Sequence, residues 1–182
     1  MNEKDLVSGC QRNDNACRRC LYEHYSQKML GICFRYIGDK ATAEDVLHDG
    51  FIRIFESIHS FQYRGEGSLR AWMSRVFINQ ALEFLRKNNY TEFLSSEELK
   101  ETQSISEDEF ETIPLDILMS FITELPVGYR TVFNLSTFED MSHREIANEL
   151  NINESSSRSQ LSRAKTVLAE KIKNYIHNDG QR

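Results

Sequence analysis

Apolar residues recur at three- and four-residue spacing along most of the chain, the period of helices that bury one stripe. From near Cys17 the stripe is Leu21, Tyr25, Met29, Ile32 and Tyr36, and Gly38 with Asp39 punctuates it. Thr42 and Asp45 stand where caps belong for an amphipathic helix carrying Leu47, Phe51, Ile54, Phe55 and Ile58. Gly65 and Gly67 make a loop, Ser68 an N-cap, and Leu69, Trp72, Met73, Val76, Phe77 and Phe84 the stripe of a further helix. Between Tyr90 and Ile113 the period dissolves into acidic, serine-rich sequence with too few apolar residues for a core. Pro114 suits a first helical position, Ile117, Phe121, Ile122 and Leu125 follow, and Pro126 stops that helix before another begins.

The clearest pattern runs from Ser142 to Ala169. Ser142 and Glu145 have the spacing of a capping box, and Ile146, Ala147 and Leu150 give the short helix after it one apolar face. Asn151, Ile152 and Asn153 break the period: asparagine tolerates left-handed backbone angles, and Asn153 is a good N-cap. A second helix follows, with Leu161, Ala164, Leu168 and Ile172 as its expected buried stripe. Two helices joined in this way predict a helix-turn-helix. The expected fold is all-α: two small helical domains, 1–90 and 114–182, joined by a flexible acidic linker over 91–113, the C-terminal domain having four helices.

Charge sharpens that division. The net charge is -6, yet residues 91–113 carry eight acids and one base, while 1–90 carry 13 basic and 11 acidic groups. DNA responds to the local surface, because at physiological salt the screening length is about 8 Å. Over 155–173 stand Arg158, Arg163, Lys165, Lys171 and Lys173 against Glu170 alone. A basic second helix of this kind is the one that enters the major groove. No apolar run approaches the roughly 18 residues of a membrane span, so a cytoplasmic protein without membrane insertion is expected.

Other candidates are less direct. Asp45, His48 and Asp49, with Val46 and Ile52 nearby, give one helix a mixed acidic and apolar face suited to a basic partner. Tyr63, Arg64, Arg70, Arg75, Asn79, Arg86 and Lys87 mix aromatic, basic and amide groups as single-strand binders do. Trp72 falls within the stripe and is read as packing. Cys17, Cys20 and His24 have a metal-like spacing, but in a sequence that looks helical throughout, so reduced structural thiols are the preferred reading over a metal or thiol sensor. No nucleotide loop, nucleophile with its base, or carboxylate pair is evident, so neither catalytic activity, metal nor cofactor is expected.

Two stretches together resemble a known family. AEDVLHDGFIRIFESI followed by WMSRVFINQALEFLRK looks like region 2, and LPVGYRTVFNLSTFEDMSHREIANELNINESSSRSQLSRAKTVL like region 4, of the extracytoplasmic-function (ECF) sigma factors of bacterial RNA polymerase. The resemblance implies a protein that binds core polymerase and directs promoter recognition, minus-10 melting and initiation. It makes Asp45, Val46, His48, Asp49 and Ile52 the candidates for docking on the beta-prime clamp helices. It assigns Phe61, Tyr63, Val76 and Asn79 to a pocket for a base flipped from the non-template strand, around a loop after the tryptophan helix that Arg86, Lys87 and Asn88 would open. Ser156, Arg158, Ser159, Gln160, Ser162 and Arg163 would meet the minus-35 duplex, and an anti-sigma factor is implied as a further partner. The chain departs from the family pattern at Asp140, where glycine is frequent, at Ser155–Ser157 in place of G-T-V, at Gln160 for a basic residue, and at His48 for glutamine. A stand-alone helix-turn-helix regulator is the alternative, and would need a self-complementary surface in place of the Asp45–Ile52 face.

Overall fold

The computed structural model describes residues 2–88 and 113–179, with side chains to His177. All but one residue of the expected 91–113 linker lie outside the described residues. The chain divides into two compact units, one ending at Asn88 and one beginning at Asn89. No described helix is long and apolar enough to cross a membrane.

The N-terminal unit consists of α1 (Glu3–Gln11), α2 (Asn15–Ile37), α3 (Lys40–Ser57), a 3-10 turn (Ile58–Ser60) and α4 (Ser68–Lys87). Helices α2, α3 and α4 pack against one another, and α1 lies on α2 and the 3-10 turn. Leu21, Met29, Tyr36, Ile54, Leu69, Met73 and Phe77 are fully buried. The buried stripe of α2 runs through Cys33 rather than Ile32. Gly50 makes the α3–α4 approach possible: a Cβ there would lie 2.1 Å from the Phe77 ring.

Caps explain where these helices begin. Asp14 accepts from the amides of Ala16 and Cys17, which hold its carboxyl below the ordinary range. For α3 the cap is Asp39, not Thr42: Asp39 accepts from the Thr42 amide at 2.8 Å and its hydroxyl at 2.6 Å. Residue 42 is three positions inside the helix, so its own hydroxyl serves as a donor to the true cap. Helix α2 ends at Gly38, whose φ of 83° sits in the left-handed region that L residues avoid.

The C-terminal unit holds α5 (Leu115–Thr123), α6 (Val127–Thr137), α7 (His143–Leu150) and α8 (Glu154–Asp179). The long α8 packs on the other three, and its Ala164 and Leu168 form a buried cluster with Ile122 and Leu125. Arg130 is buried, and its guanidinium donates to the carbonyls of Thr123 and, at 3.4 Å, Leu125. These carbonyls at the end of α5 have no partner inside their own helix, so a cation there satisfies both hydrogen bonding and the negative end of the dipole.

Candidate functional site

The outer face of α3 follows from helical spacing. Asp45, His48, Asp49 and Ile52 fall at i, i+3, i+4 and i+7, and all four are exposed, Ile52 at 56%. Val46 does not join them. It lies about 100° round the helix from Asp45 and is only 2% exposed, so it packs in the core. Beside this face Arg53 reaches Glu83 of α4 at 2.8 Å, and Lys87 holds the same carboxylate at 2.8 Å. The Lys87 hydrogen bond, with Arg53 close by, keeps the Glu83 carboxyl below its usual range.

A second site lies in the loop between the 3-10 turn and α4. The Phe61 and Trp72 rings stack with centroids 4.8 Å apart, both half-buried. They form one side of an open cavity of about 490 Å³ lined also by Ser60, Gln62, Arg64 and Ser68. Ser68 closes the loop: its hydroxyl donates to Gly65 O at 2.6 Å and accepts from Arg64 N at 3.2 Å. Gly67, with φ 85°, is the residue that precedes the helix, so Ser68 is not the N-cap. The phenol of Tyr63 is pushed upward, by burial first and then by the Glu3 and Glu66 carboxylates.

The seven residues expected at the minus-10 element are not gathered in one place. Phe61 and Tyr63 precede α4, Val76 and Asn79 lie midway along it, and Arg86, Lys87 and Asn88 mark its far end. A 20-residue helix is about 30 Å long, so the aromatic loop precedes the tryptophan helix and is remote from residues 86–88. Trp72, expected in the core, instead faces the cavity while Met73 takes the buried position. The signal that could have found it was the aromatic and basic composition of residues 61–64 just ahead of the helix.

In the second unit the helix-turn-helix is built as its caps require. Ser142 and Glu145 form the reciprocal capping box, Asn151 ends α7 at φ 54°, and Asn153 accepts from Ser156 N at 2.8 Å. Arg158, Ser159 and Ser162 are exposed on α8, with Ser156 and Arg163 half-buried. Arg158 pairs with Glu154 at 2.7 Å in the open, a contact a phosphate can replace at little cost. Gln160 is 4% exposed and belongs to the inner face. The buried stripe is Ser157, Gln160, Ala164, Leu168 and Ile172: Ala164, Leu168 and Ile172 are buried as expected, while Gln160 takes the inward place expected of Leu161, which is half-exposed. Ser157 is fully buried and its hydroxyl lies 2.9 Å from His143 Nδ1. A hydrogen bond thus joins the two helices at Ser157, one of the positions that depart from the family pattern.

Cys17 is buried, Cys20 half-buried and His24 exposed along an unbroken α2. Among the described residues no group of three or more His, Cys, Asp or Glu is placed to hold a metal ion. Burial pushes the Cys10 thiol up to about 11 and the Cys33 thiol up to about 12.

An all-helical pair of units, one bearing an acidic and apolar helix face and an aromatic cavity, the other a helix-turn-helix with a polar and basic outer ridge, defines a DNA-binding transcription protein. Comparison with known proteins narrows this. Residues 21–91 match the model of sigma-70 region 2, and residues 115–168 that of sigma-70 region 4. The chain is 27% identical to the RNA polymerase sigma-H factor of Pseudomonas aeruginosa, over 91% of each chain. It is 26% identical to the ECF RNA polymerase sigma-E factor of Haemophilus influenzae, over 94% of this chain and 96% of that one. The fold is shared with a solved structure of the sigma factor RpoE in complex with the anti-sigma factor NepR from Bartonella quintana, with TM-score 0.50 and 18% identity over 85% of this chain and 96% of that one. The chain belongs to the sigma-70 family, as an ECF sigma factor that directs RNA polymerase to promoters and starts transcription. Sigma factors are transcription regulators, not enzymes. A region 2 ahead of a region 4 sets aside the stand-alone regulator.

Proposed function

We propose that the N-terminal unit docks on the beta-prime clamp helices of core polymerase through Asp45, His48, Asp49 and Ile52, with Val46 acting only from the core beneath. The observation that carries this is the continuous exposed face, in which two carboxylates precede, on the same side of the helix, an aliphatic side chain that packing leaves outside. An acidic and apolar helix face suits a basic helical partner, because the charges steer association while the aliphatic group supplies contact area. The cavity beside Phe61 and Trp72 receives a base flipped from the non-template strand. Aromatic faces can restack it, and Gln62 and Arg64 offer hydrogen bonds and charge. Asn79, Arg86, Lys87 and Asn88 lie further along α4 and would contact the strand elsewhere, not within that cavity. On α8, Arg158, Ser159, Ser162 and Arg163 meet the minus-35 duplex, Ser156 lies beside them, and Gln160 supports the helix from within. The protein works in the cytoplasm, and an anti-sigma factor that covers these surfaces is a fitting partner.

The test is reconstitution with sigma-free core polymerase and a promoter-fragment library. The wild-type chain is expected to co-elute with core and support transcription. Asp45→Arg with Asp49→Arg should abolish both without unfolding the protein. Core binding that survives the double reversal would reject the α3 docking face.

A further inference from the structure

Helix α1 carries no residue assigned to either DNA or polymerase and lies ahead of the stretch matched to sigma-70 region 2. Its two ends nonetheless hold the two ends of the loop that bears the aromatic cavity. At one end the Glu3 carboxylate accepts from Gly67 N at 2.7 Å and from Leu69 N at 2.6 Å, capping α4 from a distant part of the chain. At the other, the Gln11 amide donates to Ile58 O at 3.1 Å and to Phe61 O at 2.9 Å.

We propose that α1 is a clamp that presets the base-capture loop, with Glu3 and Gln11 as positioning residues for promoter opening. The proposal rests on the reading of the Phe61–Trp72 cavity as the base pocket. Between the two clamps the loop has little core to fix it: Gln62, Arg64, Glu66 and Gly67 are exposed, and Gly65 and Gly67 sit at φ 119° and 85°. Glycines in such a loop leave it many conformations. Beyond the bonds that Ser68 makes to Arg64 and Gly65, the hydrogen bonds at its ends therefore anchor its path, and an ordered loop binds its ligand without an ordering cost at the moment of capture. Gln11 acts on the backbone of the very residue whose ring stacks on Trp72.

The chain has a single tryptophan, Trp72, so its fluorescence reports this pocket alone. In the free full chain, Gln11→Ala and Glu3→Ala should raise acrylamide quenching of Trp72, with Glu3→Gln, which keeps one acceptor oxygen, in between. With core polymerase on a promoter recovered from the fragment library, the same alanine variants should slow permanganate-detected opening by about tenfold, the upper size for losing a neutral hydrogen bond at Gln11 and the lower size for losing a charge-assisted one at Glu3. Affinity for core should be unchanged, and Lys4→Ala on the same helix should behave as wild type. Quenching that does not change, or core affinity that falls in parallel with opening, would overturn the clamp. Raised quenching of Trp72 with opening at the wild-type rate would instead overturn the pocket reading, and the clamp's functional role with it.

Discussion

Single residues separate what the chain tolerates from what it requires. Asp140 has φ 53°, a left-handed conformation that aspartate adopts at some cost and glycine freely. It stands before the helix-turn-helix where the family resemblance leads glycine to be expected, and this backbone angle is one that suits glycine. Asp140→Gly should stabilise the C-terminal unit by up to about 1 kcal/mol, read as a higher unfolding midpoint in far-UV circular dichroism. Gly50 is the opposite case: any Cβ meets the Phe77 ring, so Gly50→Ala should cost about 1–3 kcal/mol as an overpacked core does, seen in the Trp72 unfolding transition. The buried thiols add a pH dependence. Cys10 and Cys33 are held above their ordinary value of 9.0, at about 11 and about 12, chiefly by burial. Above about pH 9 the unfolded chain releases these protons while the folded chain retains them, so stability falls as pH rises from there. Urea midpoints between pH 8 and 11 check the sign, which Cys33→Ala should reduce.

Elements show how local rules assemble a surface. The capping box was legible from two residue types at one spacing, because both of its hydrogen bonds are made within four residues. Ser142→Ala should cost about 1 kcal/mol of C-terminal-unit stability and weaken minus-35 binding by fraying α7, measured by chemical denaturation and by DNA titration of the holoenzyme. The face of α3 was legible in its exposed members but not in Val46, since adjacency in sequence turns a side chain by about 100° and only packing says which side faces in. The same rotation misplaced Gln160, whose side-chain oxygen accepts no hydrogen bond from a described residue. Gln160→Met should leave minus-35 affinity unchanged and stabilise the unit by about 1 kcal/mol, whereas Arg158→Ala should weaken binding.

On the scale of the whole molecule, two compact units are joined through a stretch in which eight acids face one base. Tethering two modest DNA-binding surfaces raises the effective concentration of the second once the first is engaged, and we propose that the acids between them disfavour DNA on the free protein. Replacing those eight acids with their amides should strengthen DNA binding by the free chain and steepen its dependence on salt, because salt then screens attraction with no opposing repulsion; unchanged affinity would dismiss the idea.

The sequence by itself determined that the protein is helical, where its helix-turn-helix turns, and which family it belongs to, because these depend on periodicity, caps and motif order, all set by near neighbours. Tertiary structure alone decided that Val46 and Gln160 turn inward, that Trp72 turns toward a cavity, and that α1 grips the loop beside it. The Glu3 contacts join residues 64 and 66 positions apart, and those of Gln11 join residues 47 and 50 apart. No local pattern of charge or hydropathy encodes such pairings. They exist only because helix packing brings the end of one helix to the start of another.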